Sequence, residues 1–191
     1  MAYDPPIVVY DANVLYPFHL RNLLIQCAVD RLVAARWTDE IHEEWIRNLT
    51  ANVATLDRDR LLRTRDLMNR ALPEANVTGY ARHLPGITLP DPNDRHVVAA
   101  AVECGASLIV TWNTKDFPAR GLRPHGLRKQ SPDAFLLALH EEAPDATIEA
   151  ARNARRNLTK SCRTASEFIE ALRRQKVVRF AKVLEGYSAE I

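Results

Sequence analysis

Two apolar runs, Ile7-Val8-Val9-Tyr10 and Leu108-Ile109-Val110-Thr111, constrain the fold of this chain more than any other feature. Each is a set of four β-favouring residues bounded by polar turn residues. That is the pattern of a strand buried on both faces, and such strands belong to parallel sheets. Each also runs into acid: Asp11 directly follows the first, and Asp116 lies five residues past the end of the second. In open parallel sheets, chemistry collects beyond the carboxyl ends of the strands. Two carboxylates 105 residues apart are therefore expected to lie side by side. Converging carboxylates repel unless one takes a proton or a cation binds between them, and hard divalent cations with oxygen ligands suit such a place.

Helical spacing fills the intervals. Leu20, Leu23, Leu24, Cys27, Ala28 and Leu32 share one face between His19 and Val33. Thr38 offers an N-cap to a helix with Ile41, Trp45, Leu49 and Val53 on its apolar stripe. A helix is predicted over 57–71, stopping before Pro73, and Ile87-Thr88-Leu89 reads as a short strand. Asp91-Pro92 opens a helix that ends at Gly105, and 121–130 reads as loop around a short strand. From Ser131 onward the pattern is helical only: starts at Ser131-Pro132 and Pro144, a capping box at Thr164 to Glu167, and a last helix over 177–184. The expectation is an α/β domain over 1–130 and a helical extension over 131–191.

No apolar stretch reaches the ~20 residues of a membrane span, and the N-terminus lacks a basic and apolar leader, so a cytoplasmic protein is expected. Three widely spaced cysteines argue against a disulfide framework or a zinc cluster, and Cys27 and Cys104 read as buried thiols. Residues 1–150 carry 16 basic and 20 acidic side chains, and residues 151–191 carry 10 and 4. That imbalance suits either a phosphate-attracting extension or a solvated basic helix face.

Four acids stand at junctions. Asp11 is either a site residue or a turn cap. Among Glu40, Glu43 and Glu44, Glu44 lies nearest the Ile41/Trp45/Leu49 stripe, whereas all three could be solvated acids near a helix N-terminus. Asp91, Pro92 and Asp94 fit N-cap, N1 and N3, and a cap also fixes a carboxylate in space. Thr111, Asn113 and Asp116 lie in a polar loop closed by Phe117-Pro118, either a site or a strand exit.

In series these residues resemble the PIN-domain nucleases. Asp11-Ala12-Asn13 is similar to their start, and Glu44 to their second acid. The segment Pro90 to Ala101 is similar to their third-acid helix, and Leu108 to Pro118 to their closing motif. A common family form has Asp two residues after the Thr; Asn113 stands there, which makes Asp116 the fourth carboxylate. The helical extension resembles that of some VapC-like toxins of bacterial toxin–antitoxin pairs. The resemblance implies a PIN-like parallel sheet flanked by helices and a metal-dependent endoribonuclease that hydrolyses phosphodiesters with metal-activated water. It implies Mg²⁺ or Mn²⁺ on Asp11, Asp94 and Asp116, with Glu44 as a ligand or the group orienting water. Asn13, Thr111 and Asn113 would then support the ligands or touch substrate. Implied partners are RNA and a small antitoxin, with a homodimer allowed and no membrane. His96 reads as a helix-face residue. Arg152, Arg155 and Arg156 share a helix side suited to RNA phosphate.

Two other classes stay open. A haloacid-dehalogenase-like phosphohydrolase also starts with Asp after a strand, but needs a second Asp where Asn13 stands. A non-catalytic RNA- or DNA-binding module would need only the basic helices.

Overall fold

A computed structural model describes residues 5–158, 160–162 and 164–191. Met1–Asp4, on which part of the leader argument rests, lie outside these residues. The chain divides into two compact units, residues 1–16 with 33–130 and residues 17–32 with 131–191.

The first unit is built on a parallel sheet of four strands in the order β2-β1-β3-β4. The two apolar runs form the centre, β1 (Ile7–Tyr10) and β3 (Leu108–Val110), paired in parallel with Tyr10 opposite Val110. That register makes the next residues, Asp11 and Thr111, leave the sheet together. The flanking strands are β2 (Ala34–Arg36) and β4 (Arg128–Gln130). Strand β2 was not expected, and the expected strand at 87–89 does not form. Ile87 and Leu89 are buried without a ladder, and the chain closes so tightly on Gly121 that a Cβ there would lie 3.0 Å from the Thr88 carbonyl.

Helices α1 (Ala12–Leu15), α3 (Asp39–Asn52), α4 (Arg58–Ala71), α5 (Arg95–Glu103) and α6 (Ala119–Leu122) complete this unit. Thr38 caps α3 by accepting from Ile41 N at 3.1 Å. Helix α5 is entered through a 3₁₀ turn, Pro92–Asp94, capped by the Asp91 side chain. Asp94 makes no cap bond, contrary to the N3 role expected of it, so its carboxylate is left for other partners. Cys104 is half-buried rather than buried.

The second unit joins α2 (Phe18–Val29) to α7 (Pro132–Glu142), α8 (Pro144–Arg156), α9 (Ala165–Arg174) and α10 (Val178–Glu185). Leu20, Leu23, Leu24 and Cys27 of α2 are fully buried, and burial pushes the Cys27 thiol up to about 12. Asn22 donates to the Ala154 carbonyl at 2.7 Å, and Gln175 accepts from Leu20 N at 2.8 Å. Asp133 caps α10 by accepting from Phe180 N at 2.9 Å, and Thr164 and Glu167 close the capping box of α9.

Grouping the chain this way dissolves the acidic body and basic tail. The first unit carries 14 basic and 14 acidic residues, and the second 12 and 10. The basic excess at the C-terminal end is balanced by the acids it folds against and pairs with. Arg152 bonds Glu149 and the Glu190 carbonyl, and Arg173 bonds Glu170 and Glu185.

Candidate active site

Asp11 is the N-cap of α1, and it is 3% exposed. Its Oδ1 accepts from Ala12 N at 2.7 Å; its Oδ2 accepts from Asn13 Nδ2 at 2.5 Å and from the Thr111 hydroxyl at 2.6 Å. The turn-cap reading of Asp11 is met by the bond from Ala12 N, and the same geometry holds its carboxylate against Thr111. Burial raises the Asp11 carboxyl to about 6, with Glu44 adding to the rise, while the bonds from Thr111 and Ala12 oppose it.

Asn13 bridges the two central strands. Besides Asp11, its amide reaches Thr111 Oγ1 at 2.9 Å, and its carbonyl accepts from Trp112 N at 3.0 Å. An ionised acid at this position could not donate to either oxygen. Thr111 is fully buried and also accepts from Asn113 N at 2.9 Å. Asn113 then points its amide at Asp94 Oδ2, 3.4 Å away. One chain of contacts therefore runs from Asp11 through Thr111 and Asn113 to Asp94.

Asp94 is half-buried, and its carboxyl is pushed up to about 7 by burial and then by the charges of Asp11, Asp91, Asp116 and Glu44. The half-buried Asp116 adds its charge to that rise, and among the described residues it makes no hydrogen bond to the other acids. Glu44 is the least exposed of the three helix acids, at 32% against 56% for Glu40 and 49% for Glu43. Glu43 is taken up by Arg58 at 2.8 Å. Glu40 is not simply solvated, because it accepts from the Tyr80 hydroxyl at 3.0 Å.

His96, expected as a helix-face residue, lies beside the acids of α3. It is buried on α5, with Nε2 3.7 Å from Glu44 and Nδ1 3.8 Å from Glu40, beyond hydrogen-bond length. Burial acts to lower its pKa, but Glu44, Glu40 and Asp11 together raise it. The available signal was its place two residues after Asp94, in the first turn of α5. Glu44, Asp94 and His96 line a cleft of about 800 Å³.

Among the described residues, no three His, Cys, Asp or Glu side chains close into a ready-made metal cage. The donor set is nevertheless oxygen-rich, and the crowding recorded at Asp94 is what a divalent cation would relieve, so the residues suit a hard ion that keeps some of its water. Of the three candidate RNA-binding arginines, Arg152 is held by intramolecular partners, Arg155 is half-buried and Arg156 is exposed.

Comparison with known proteins gives two family matches. A PIN domain family model matches residues 7–115, and a VapC50 C-terminal domain model matches residues 132–186. The chain is 50% identical over 58 residues to a protein of Mycobacterium tuberculosis (strain H37Rv) named "Putative ribonuclease VapC50". That alignment covers 29% of this chain and 34% of the relative, so the chain matches about a third of the relative's length. No solved structure matches.

Proposed function

Because the chain belongs to the PIN-domain family, we propose that it is a divalent-metal-dependent endoribonuclease and the toxin of a toxin–antitoxin pair. The observation that supports this most is the convergence of distant acids, with Asp11 linked to Asp94 through Thr111 and Asn113 by contacts of 2.6, 2.9 and 3.4 Å, and Glu44 lining the same cleft as Asp94. Asp11, Asp94 and Asp116 would hold Mg²⁺ or Mn²⁺. Bound there, the ion supplies positive charge beside the scissile phosphate and makes a water easier to deprotonate.

The rest is work for the chain's own groups. Thr111, Asn13 and Ala12 N hold the Asp11 carboxylate in one orientation and favour its ionised form. Asn113 does the same for Asp94 more weakly, at 3.4 Å. Glu44 orients the attacking water, on a helix anchored by buried Ile41, Trp45 and Leu49. The Asn13 amide speaks against the haloacid-dehalogenase alternative, since no second carboxyl stands where that chemistry needs its general acid.

The toxin reading rests on the family resemblance and the VapC50-type match over 132–186. It carries a cytoplasmic RNA target and a small inhibitory protein that silences the enzyme. Among the described residues, no helix is long and apolar enough to cross a membrane.

The test is incubation of the purified chain with total RNA in Mg²⁺, in Mn²⁺ and in chelator. Cleavage is expected only with metal, and Asp11→Asn should abolish it while leaving a folded protein. Cleavage in chelator, or at the wild-type rate by Asp11→Asn, would refute the mechanism. RNA binding without cleavage under every condition would favour the non-catalytic module. Uninhibited expression should arrest bacterial growth, and Asp11→Asn should lift the arrest.

A further inference from the structure

The cleft holding Glu44 and Asp94 has the wrong charge for an RNA backbone. Five of its lining side chains are carboxylates, and two are arginines, Arg47 and Arg95. Each arginine accompanies one of the central acids. Arg47 stands about one helical turn beyond Glu44 on α3, and Arg95 follows Asp94 at the start of α5.

Arg47 would ordinarily pair with Glu43, four residues before it on the same helix. Arg58 instead takes both Glu43 oxygens, at 2.8 and 3.1 Å, and Arg47 acts on Glu43 only as a nearby charge. Among the described residues, Arg47 is left with no hydrogen bond or ion pair, exposed on the cleft wall. Arg95 donates from Nε to the Pro92 carbonyl at 3.1 Å, which fixes its stem, and among the described residues its two terminal nitrogens have no acceptor. Arg152 and Arg173 of the C-terminal helices, by contrast, are already paired with acids.

We propose that Arg47 and Arg95 are the two phosphate grips of the nuclease, holding single-stranded RNA across Glu44 and Asp94 by the phosphates on either side of the scissile one. The inference rests on the ribonuclease reading and adds where the substrate is held. Guanidinium groups suit the task because they stay charged and present a planar fork to phosphate oxygens. The grips attract backbone without reading bases, so they set position and not sequence.

The experiment uses the full chain with a short single-stranded RNA. In an Asp11→Asn background with Mg²⁺, affinity is followed across a salt series for Arg47→Gln, Arg95→Gln, the double variant, and a comparator with Arg152, Arg155 and Arg156 changed to Gln. Each single change should weaken binding roughly three- to tenfold and reduce the salt slope by about 0.7, with the double variant near the sum. Arg47→Lys should retain most of the slope. In the active background, KM should rise while kcat stays within about twofold.

An unchanged Kd and salt slope in the double variant would overturn the proposal, the more so if the comparator flattened the slope. A fall in kcat at constant KM would also overturn it. If the wild-type chain cleaves RNA and the double variant is indistinguishable from it, this proposal alone fails. If the wild-type chain does not cleave RNA in either metal, the ribonuclease reading fails and takes the proposal with it.

Discussion

The Thr111 hydroxyl donates to Asp11 Oδ2 at 2.6 Å, joining residues one hundred positions apart. The same oxygen accepts from Asn13 Nδ2 and from Asn113 N, both at 2.9 Å. A hydroxyl has one proton to give and two lone pairs, and all three are used. A buried atom so fully committed makes the ends of the two central strands a single rigid unit.

Thr111→Val keeps the shape and removes that oxygen. The Asp11 carboxyl then loses the bond that most opposes its upward drift, and should titrate above the present value of about 6. RNA cleavage at neutral pH should fall by about tenfold or more, and the acid limb of the pH–rate profile should move to higher pH. The stability cost should be about 1–3 kcal/mol by denaturant titration, and Thr111→Ser should recover most of both losses.

Asp94→Asn should separate stability from activity. The folded carboxyl, at about 7, lies above its ordinary value of 3.8, so folding takes up a proton at any pH between the two. The stability linked to that proton is full below 3.8 and is lost as pH rises through about 7. The variant should therefore melt higher than wild type at pH 8 and level with it at pH 4. Because the group is half exposed, screening limits the gain to about 1 kcal/mol. Added Mg²⁺ should raise the wild-type melting temperature more than that of the variant.

Glu43 and Glu44 are neighbours with opposite expected fates. The Glu43–Arg58 pair is exposed on both sides, so Glu43→Gln should cost under about 1 kcal/mol and leave the chemical step unchanged. Glu44→Gln should lower kcat by about a hundredfold, the usual scale for losing a general acid–base group. Single-turnover cleavage of the two variants side by side decides the matter. A slow Glu43→Gln with a fast Glu44→Gln would put the wrong glutamate in the mechanism.

Asn69 is expected to be a stability residue with no contact to the acids. Its Oδ1 accepts from Trp37 Nε1 at 2.8 Å and lies 3.2 Å from His42 Nε2, while His42 Nδ1 accepts from Trp45 Nε1 at 3.0 Å. That bond from Trp45 fixes the proton of neutral His42 on Nε2. Asn69→Ala leaves two buried donors without this acceptor and should cost about 2–4 kcal/mol. Because α3 carries both Trp45 and Glu44, a loosened α3 should also show faster amide exchange near its start.

What could be read from the residues follows what carries strong local signal. The two central strands are Val- and Ile-rich and buried on both faces, so they and the acids after them stand out. The edge strands, Ala-Ala-Arg and Arg-Lys-Gln, have no β-branched residue and are defined by their neighbours' hydrogen bonds. Strand β2 was therefore invisible, while Ile87-Thr88-Leu89 looked like a strand on composition alone. His96 read as a plain helix-face residue because its nearness to Glu40 and Glu44 of α3 is a tertiary fact. The basic tail misled for the same reason: counting charge along the chain ignores which acids fold beside it.

The placing of α2 has a practical consequence for anyone dissecting the gene. Residues 17–32 depart from the first unit, complete the second, and return, so the chain passes between the units three times. No single cut yields either unit whole. A fragment ending at residue 130 would carry Leu20, Leu23, Leu24 and Cys27 without the helices that bury them, and a fragment starting at 131 would lack the helix its own apolar faces were shaped around. Nuclease and extension are in this sense inherited as one piece, and an exchange of extensions between relatives would have to move two separate stretches of gene together.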